Sequence, residues 1–367
     1  MSPTKLDLSG NVAKRIEELK SVQDFNTKTH GGNTLKEPLK YGGSLDKFEH
    51  FLPTTIIGIE FPTIQLTDLL DSEDKDVLLR DLAILISQRG VCFFRNQIIT
   101  PSQQKEVVHQ LGVLTGKPST NTLHVHPTTW SNSELGDEIT VIDNEEISYN
   151  ARFYGRRSEL ASKGWHSDIN FERAPADYSI LKIHTLPETG GDTLWASGYE
   201  VYDRLSEPYQ RFLEGLTAYF SGDRLKLHAE DSHKQLRTNR GSPDNQGLEL
   251  DSVHPVVRTN PVTGWKSVFT SNNFTQYINE LNVDESQEVI DRVNKLVAEN
   301  HDLQVRFHWS KNDVAIWDNR SFFHTATGDV VGKRLGDRAV SIGERPYLDP
   351  ESKSRRRALN GQVNRIL

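Results

Sequence analysis

The chain contains 367 residues, of which 35% are hydrophobic and 26% are charged, and its formal net charge at pH 7 is −8. This length and apolar content suffice for one large folded domain with extensions, or for two smaller domains. The acidic balance argues against a nucleic-acid-binding protein, and the single cysteine, Cys92, excludes both an intrachain disulfide and a zinc site built from several cysteines.

Residues 1–50 are polar and glycine-rich, which predicts an N-terminal extension with one helix over about 10–22. The N-terminus lacks the apolar core of a signal peptide, and no apolar run approaches the ~20 residues that span a bilayer. We therefore expect a soluble, cytoplasmic protein that acts on a small molecule and has no membrane or nucleic-acid partner. The sequence leaves open whether it is a monomer or a homo-oligomer.

The folded domain is predicted to cover residues 51–350 and to be followed by a basic C-terminal tail, 351–367. It opens with a short β-branched strand, TTIIGIEF. The next segment has the apolar spacing of a helix, with Ser72 as its expected N-cap and Gly90 as its end. A strand, VCFFRN, follows, and then a helix with Pro101 at its first position.

Beyond this helix, short apolar or alternating runs recur between turn signals, which predicts a mostly β domain with flanking helices, built as a sandwich or barrel. One helix, over about Glu285–Glu299, interrupts these strands. Residues 221–248 are polar and poor in strand signals. We interpret them as a long mobile loop and a candidate lid over a site.

The stretch WHSDINF, interpreted as a strand, carries side chains suited to a metal ion. In a strand, His166, Asp168 and Asn170 would share one face and the intervening apolar residues the other. An imidazole and a carboxylate on one face could hold a divalent metal at two positions. Alone this pattern is weak, because an isolated H-x-D more often makes a structural hydrogen bond.

A third ligand must come from elsewhere in the chain, and His324 is the best candidate. It follows a buried-looking strand, VAIW, and the turn-prone residues DNRS. Two histidines and one carboxylate, with other positions open, are typical of non-haem Fe(II) oxygenases. The alternative is that His324 is a core histidine packed near Phe322 and Phe323.

Five blocks in order, WHSD, GGDTLWAS, HPVVRTNPVTG, NDVAIWDNRSFFH and RAVSIGERP, resemble the taurine/α-ketoglutarate dioxygenase family. The resemblance covers roughly residues 55–348. It implies a double-stranded β-helix (jelly-roll) core and an Fe(II) centre that uses 2-oxoglutarate as co-substrate together with O2. His166, Asp168 and His324 would then be the iron ligands.

Two arginines in KRLGDRAVSIGERP are candidates for binding anions. If this segment is extended, Arg334 and Arg338 share a face about 13 Å apart, which suits two separate anions better than one. The resemblance implies that Arg334 binds the distal carboxylate of 2-oxoglutarate and that Arg338 meets an anionic head group on the prime substrate. It also implies that Thr193 hydrogen-bonds 2-oxoglutarate, although a threonine there is equally explained as a strand former.

The resemblance further implies that His126 and Phe274 line the substrate pocket, His126 at the position where sulfonate-oxidising members use a histidine. Two residues depart from that pattern: Thr129 replaces an expected tyrosine and Ser162 an expected asparagine. These departures put taurine itself in doubt.

The sequence thus predicts an Fe(II)- and 2-oxoglutarate-dependent dioxygenase that oxidises a small anionic organic substrate, a sulfonate such as taurine being the first guess, and releases succinate and CO2. A 2-oxoglutarate-dependent hydroxylase or desaturase of a specialised metabolite is the main alternative. A zinc-dependent hydrolase, which would use bound water, is a further one. It would leave the paired arginines without a function. A jelly-roll that acts only as a binding module is the third alternative, and the intact ligand positions argue against it.

Overall fold

The computed structural model describes residues 37–129, 134–145 and 160–360. The helix predicted over 10–22 and the end of the predicted C-terminal tail lie outside this part of the chain. The strands in chain order are β1 (Ile59–Phe61), β2 (Val91–Phe94), β3 (Ile139–Asp143), β4 (Ala176–Thr185), β5 (Thr193–Ser197), β6 (Thr217–Ser221), β7 (Asp251–Pro255), β8 (Val257–Thr259), β9 (Lys266–Val268), β10 (Thr275–Ile278), β11 (Gln304–Phe307), β12 (Asp313–Asp318), β13 (Phe322–Ala326) and β14 (Leu335–Ile342). The α-helices are α1 (Leu66–Leu70), α2 (Lys75–Arg89), α3 (Pro101–Leu114), α4 (Gly198–Asp203), α5 (Glu207–Glu214), α6 (Asp223–Asp231), α7 (Val283–Glu299) and α8 (Arg355–Ala358).

The largest sheet has six strands in the order β1-β2-β12-β4-β14-β3. Only β1 and β2 pair in parallel, and the other neighbours are antiparallel. Alternate residues of β2 face opposite ways, as the period of a strand requires. Cys92 and Phe94 pack towards α2 and α3, whereas Val91 and Phe93 pack towards Trp195 of β5. The sheet is therefore buried on both faces, which explains its continuous apolar runs.

A second layer lies against the face that carries Val91 and Phe93. It includes the three-stranded sheet β11-β5-β13, and a further three-stranded sheet has the order β10-β6-β7. Aromatic rings fill the space between the layers: Trp195 lies with its ring centroid 5.4 Å from that of Phe93 and 5.8 Å from that of Trp317. Helix α7 packs its buried face on the second core, beside Val268 and Phe269. The result is a mixed α/β fold with layered sheets.

Most predicted elements are confirmed, including the helix that begins at Pro101, where Thr100 is the N-cap and forms a capping box with Gln103. The helix over Glu285–Glu299 begins two residues earlier, at Val283. The predicted N-cap Ser72 is wrong: α2 is preceded by Asp74, and the Ser72 hydroxyl instead accepts from the Asp74 N–H at 3.1 Å. Gly90 ends α2 as predicted, with φ of 88°.

The interpretation of WHSDINF as a strand is wrong. Only one isolated bridge, between His166 and His324, lies in this segment, and the chain then turns through Asp168. Ile169 adopts φ of 52°, which a strand does not allow and which is costly for a β-branched residue. The period-2 argument that put Asn170 beside the two ligands therefore does not hold.

Residues 221–248 contain no strand beyond Ser221 in the structure, as predicted, but they do contain helix α6 and are fastened to the domain. The Arg237 N–H donates to the Pro127 carbonyl at 2.9 Å, and the Thr122 N–H donates to the Gly241 carbonyl at 2.8 Å. The buried side chain of Arg240 anchors the same stretch. The second half of the segment is thus held by hydrogen bonds at several points.

The predicted N-terminal extension packs on the domain where it is described. Leu45 is buried in the core beside α2, and the Leu39 N–H donates to the Val262 carbonyl at 2.8 Å. In the predicted tail, Arg355 of α8 is buried as well. Among the described helices, none combines the length and the apolar content that crossing a membrane would need.

Candidate metal centre

Three side chains that could hold a metal ion converge at the edge of the second layer. One ligand atom from each of His166, Asp168 and His324 lies within 4.8 Å of the others. His324 sits on β13, and His166 lies antiparallel to it: the His166 N–H donates to the His324 carbonyl at 3.0 Å, and the His324 N–H returns to the His166 carbonyl at 2.7 Å. Backbone pairing therefore fixes the two imidazoles side by side, with their ring centroids 4.2 Å apart.

The two imidazoles are neutral, which is the form that binds metals. Burial lowers the pKa of both rings, and the neighbouring His166 helps to lower that of His324 to about 3. His166 Nδ1–H donates to the Gly164 carbonyl at 2.8 Å, so its Nε2 lone pair is left for a ligand. His324 Nδ1 is buried and has no hydrogen-bond partner within the described residues.

Asp168 is ionised although it is buried. Burial by itself raises its pKa, but the charge of Arg338, with the hydrogen bond from Ser179, outweighs this and holds the pKa well below its usual range. Arg338 Nη1 donates to Asp168 Oδ1 at 2.7 Å, and the Ser179 hydroxyl donates to Oδ2 at 2.7 Å. The site therefore presents two neutral nitrogens and one anionic oxygen on a fixed framework.

Arg334 and Thr193, both predicted to contact 2-oxoglutarate, lie close together. Thr193 is on β5, which pairs with the strand that carries His324. Arg334 Nη2 lies 3.5 Å from Thr193 Oγ1, and its Nε donates to the Gly191 carbonyl at 3.0 Å. The guanidinium is only 5% exposed, and burial lowers its pKa to about 10. No carboxylate forms an ion pair with it in residues 37–129, 134–145 and 160–360. A buried, unpaired cation is a ready receptor for an anion.

Sequence analysis missed Trp309, which contacts both Thr193 and Arg334. Its indole Nε1–H donates to Thr193 Oγ1 at 3.0 Å, and its ring lies 5.8 Å from the guanidinium carbon of Arg334. Because tryptophan is also a common core residue, nothing in its sequence position distinguished the two roles.

The predicted substrate residues lie around the triad in the structure. The ring centroid of Phe274 is 6.1 Å from that of His166 and 5.2 Å from that of Phe171. His126 is half-buried, and burial, together with Arg338 and the neighbouring His124, lowers its pKa well below the usual value. Arg338, predicted to face a second anion, is bonded to Asp168 instead of pointing away from the ligands.

A buried charged cluster of Glu172, Arg240 and His124 was also missed. Arg240 Nη2 donates to Glu172 Oε2 at 3.0 Å, and His124 Nε2 lies 3.1 Å from Glu172 Oε1. Glu172 follows the ligand Asp168 by four residues, and His124 precedes His126 by two. The cluster ties the metal-ligand turn and the His126 segment to residues 221–248. Sequence analysis could not pair three residues so far apart in the chain.

Comparison with known proteins gives this site a context. The sequence profile described as "Taurine catabolism dioxygenase TauD, TfdA family" matches residues 47–339. An alpha-ketoglutarate-dependent dioxygenase (btcD) from Neocamarosporium betae is 47% identical over 342 residues, which cover 88% of this chain and 99% of that protein. An alpha-ketoglutarate-dependent sulfonate dioxygenase from Saccharomyces cerevisiae is 36% identical over 279 residues, which cover 75% of this chain and 62% of that protein.

The fold agrees with this relationship. The crystal structure of a taurine dioxygenase from Burkholderia xenovorans superposes with a TM-score of 0.62 at 24% identity, covering 83% of this chain and 93% of that one. At this identity the likeness concerns the fold alone. The profile match spans most of the domain and includes all three residues of the triad. The chain belongs to the taurine catabolism dioxygenase TauD, TfdA family and is an alpha-ketoglutarate-dependent dioxygenase.

Proposed function

We propose that this enzyme holds Fe(II) between His166, Asp168 and His324 and couples the conversion of 2-oxoglutarate and O2 into succinate and CO2 to the oxidation of a small organic substrate. The observation that carries the proposal is the pairing of this triad with the buried, unpaired cation Arg334. A 2-His-1-carboxylate set with open positions suits non-haem Fe(II). We also propose that the layered sheets form a double-stranded β-helix core, as in other members of the family.

Each residue of the triad has a defined part in this proposal. His166 would bind through Nε2, because its Nδ1–H is used by the Gly164 carbonyl. Asp168 would bind as a carboxylate, since its pKa is held low. When bound, the iron supplies the electron chemistry that activates O2, and the protein's part is to orient the reactants and to exclude water.

Arg334, Thr193 and Trp309 would bind the co-substrate. A guanidinium offers two parallel donors to a carboxylate, and Arg334 has no competing anion among the described residues except the coulombic influence of Asp192. The Thr193 hydroxyl would add a hydrogen bond, and Trp309 would keep that hydroxyl oriented. A zinc hydrolase would leave this receptor without a ligand.

The substrate we propose is a specialised metabolite that is hydroxylated or desaturated, in preference to taurine. The relative that is 47% identical is named only for its co-substrate and reaction, whereas the named sulfonate dioxygenase is 36% identical. The pocket residues support this preference. Phe274, Leu225 and Leu236 pack around Phe171 and Ile169 next to the triad, which favours a substrate with a sizeable apolar part.

His126 and Arg338 would contact a polar group of that substrate. His126 is neutral, so it would contribute a hydrogen bond without a full charge. Arg338 Nε is buried without a partner among the described residues and could donate to the same group. A single carboxylate or hydroxyl is sufficient for these two donors.

Turnover of 2-oxoglutarate tests the reaction. Anaerobic addition of Fe(II) and 2-oxoglutarate should produce a visible charge-transfer absorbance, and admission of O2 should release succinate. Asp168→Ala should abolish both, whereas Arg211→Ala, which changes an exposed arginine on α5, should leave both unchanged. Full succinate release by the Asp168 variant would overturn the assignment of the triad.

A substrate panel then separates the two substrate classes. Small sulfonates and sulfate esters, followed by larger carboxylic acids and aromatic or terpenoid acids, are assayed for stimulated succinate release, with sulfite detection and product mass as readouts. Stimulation by taurine with release of sulfite, and by none of the larger compounds, would restore the sulfonate assignment.

A further inference from the structure

The carboxylate of Asp168 belongs to a closed ring of hydrogen bonds. Asp168 Oδ2 accepts from the Ser179 hydroxyl at 2.7 Å, and Ser179 Oγ accepts from Asn319 Nδ2 at 2.9 Å. Asn319 Oδ1 then accepts from the main-chain N–H of Asp168 at 3.1 Å and from Trp317 Nε1–H at 3.0 Å. Each of these side chains is at least 98% buried.

The ring admits only one arrangement of donors and acceptors. Two N–H groups point at one end of the Asn319 amide, so that end must be the oxygen, and the other end must be the nitrogen that donates to Ser179. The Ser179 hydroxyl then has its proton left for Asp168. With every group satisfied, rotation of the carboxylate would break at least one buried hydrogen bond.

The ring also supports the strained turn that carries the ligand. Ile169, next to Asp168, has φ of 52°, a conformation that persists only where the surroundings impose it. Asn319 bonds the backbone on one side of that residue, and its own N–H donates to the Asp177 carbonyl of β4 at 2.7 Å. Asn319 therefore joins the ligand turn, β4 and the turn between β12 and β13 that leads to His324.

We infer that Ser179 and Asn319 are positioning residues that hold the Asp168 carboxylate so that one oxygen, Oδ1, is presented to the metal. Ser179 donates to Oδ2, whereas Oδ1 is the oxygen nearest the histidine ligand atoms, 3.7 Å from His324 Nε2, and it accepts from Arg338 Nη1 at 2.7 Å. The inference rests on the proposed function, in which the triad binds Fe(II). It assigns the preorganisation of that site to residues that are not ligands.

Metal affinity measures this effect without turnover. Mn(II) or Co(II) binding to the full-length protein is titrated anaerobically for the unmodified chain and for Ser179→Ala. Loss of the hydroxyl should raise the Kd about 10- to 100-fold, the usual effect of removing such a partner. Ser179→Thr, which restores a hydroxyl, should recover much of the affinity. The Co(II) absorption spectrum of Ser179→Ala should also change, because a freed carboxylate can bind through both oxygens.

Matched controls separate positioning from general damage. Ser286 and Asn294 are buried in α7 and bond to Ile278 and Ile290, outside the ring, so Ser286→Ala and Asn294→Ala should leave the Kd within about 3-fold of the unmodified protein. Asn319→Ala is the second test variant and should weaken binding in the same direction as Ser179→Ala. Thermal denaturation establishes that each variant is folded at the titration temperature.

The outcomes distinguish the inference from the proposed function. If the unmodified protein binds none of these divalent ions, the metal assignment of the triad fails. If it binds them, and Ser179→Ala and Asn319→Ala bind with unchanged Kd and an unchanged Co(II) spectrum, the positioning role is overturned while the metal site stands.

Discussion

Replacing Arg334 with methionine should stabilise the ligand-free protein and remove most of its affinity for 2-oxoglutarate. Arg334 is a cation that burial penalises, and the chain provides it with a carbonyl and a hydroxyl but, among the described residues, no ion-paired carboxylate. Such a charge is unfavourable until an anion arrives. Methionine keeps much of the apolar stem that packs near Trp309 and removes the charge.

The magnitude follows from the pKa. Burial lowers the pKa of Arg334 from 12.5 to about 10, which at about 1.4 kcal/mol per unit of pKa corresponds to a penalty of about 3 kcal/mol. Loss of the hydrogen bond to the Gly191 carbonyl reduces this gain in stability by about 1 kcal/mol. A net gain of about 2 kcal/mol in a domain of this size should raise the Tm of the ligand-free protein by roughly 3 °C.

The same substitution should weaken the binding of 2-oxoglutarate, although it stabilises the ligand-free protein. A charge-assisted contact to a carboxylate contributes about 2–3 kcal/mol, so its loss should weaken binding about 30- to 150-fold. In the unmodified protein, 2-oxoglutarate at about 100 times its Kd should add about 2.7 kcal/mol of stability, and in Arg334→Met about 2 kcal/mol of that should disappear.

Thermal denaturation with Mn(II), in the presence and absence of 2-oxoglutarate, measures both effects in one experiment. The variant should melt above the unmodified protein without the ligand, and this difference should nearly vanish with the ligand. Arg211→Met is the matched control, because Arg211 on α5 is exposed and so is its ion-pair partner Glu207, so both melting temperatures should stay nearly unchanged. A lower ligand-free Tm together with an undiminished response to 2-oxoglutarate would show that Arg334 is a structural cation.

Substitutions of three other buried side chains have predictable effects on stability or on 2-oxoglutarate binding. Glu172→Gln should destabilise the protein by about 3–5 kcal/mol in chemical denaturation, because Arg240 would stay charged and buried without its carboxylate; a loss below about 1 kcal/mol would contradict this. Burial, aided by Arg258, lowers the pKa of His254 to about 3, so as the pH falls below about 6.5 the unfolded chain takes up this proton first and stability is lost towards pH 3. His254→Gln should therefore flatten the dependence of stability on pH between 7 and 5, and an unchanged slope would refute it. Trp309→Phe should raise the KM for 2-oxoglutarate several-fold with little change in kcat, since it leaves the Thr193 hydroxyl unoriented.

Period and turn chemistry were enough to predict most of the secondary structure. The short apolar run in VCFFRN predicts β2, and the apolar spacing after Ser72 predicts α2. The cap at Ser72 was wrong because its hydroxyl bonds to a turn residue before the helix begins. Local side-chain bonding of this kind competes with capping and leaves the same sequence pattern.

Contacts between residues that are far apart in the chain could not be predicted from sequence patterns. The receptor formed by Thr193 and Arg334 was predicted through family resemblance, but Trp309 was not, since 116 residues separate it from Thr193. Ser179 and Asn319 were missed for the same reason: both are small polar residues in buried segments, and their pairing arises only when β4 meets the turn after β12.

The case of WHSDINF shows that a predicted clustering of side chains can be right although the local structure predicted for it is wrong. The period of a strand put His166 and Asp168 on one face, and they are indeed brought together, but by a turn with a left-handed residue, Ile169, directly after the carboxylate. A strand would have needed only side-chain alternation to hold the pair. A turn has no such repeat, so its geometry must be imposed from outside, by the two-way backbone bond to His324 and by Asn319 on the Asp168 N–H. The candidate metal site is therefore specified less by the stretch that carries His166 and Asp168 than by the strand and turn against which that stretch is folded.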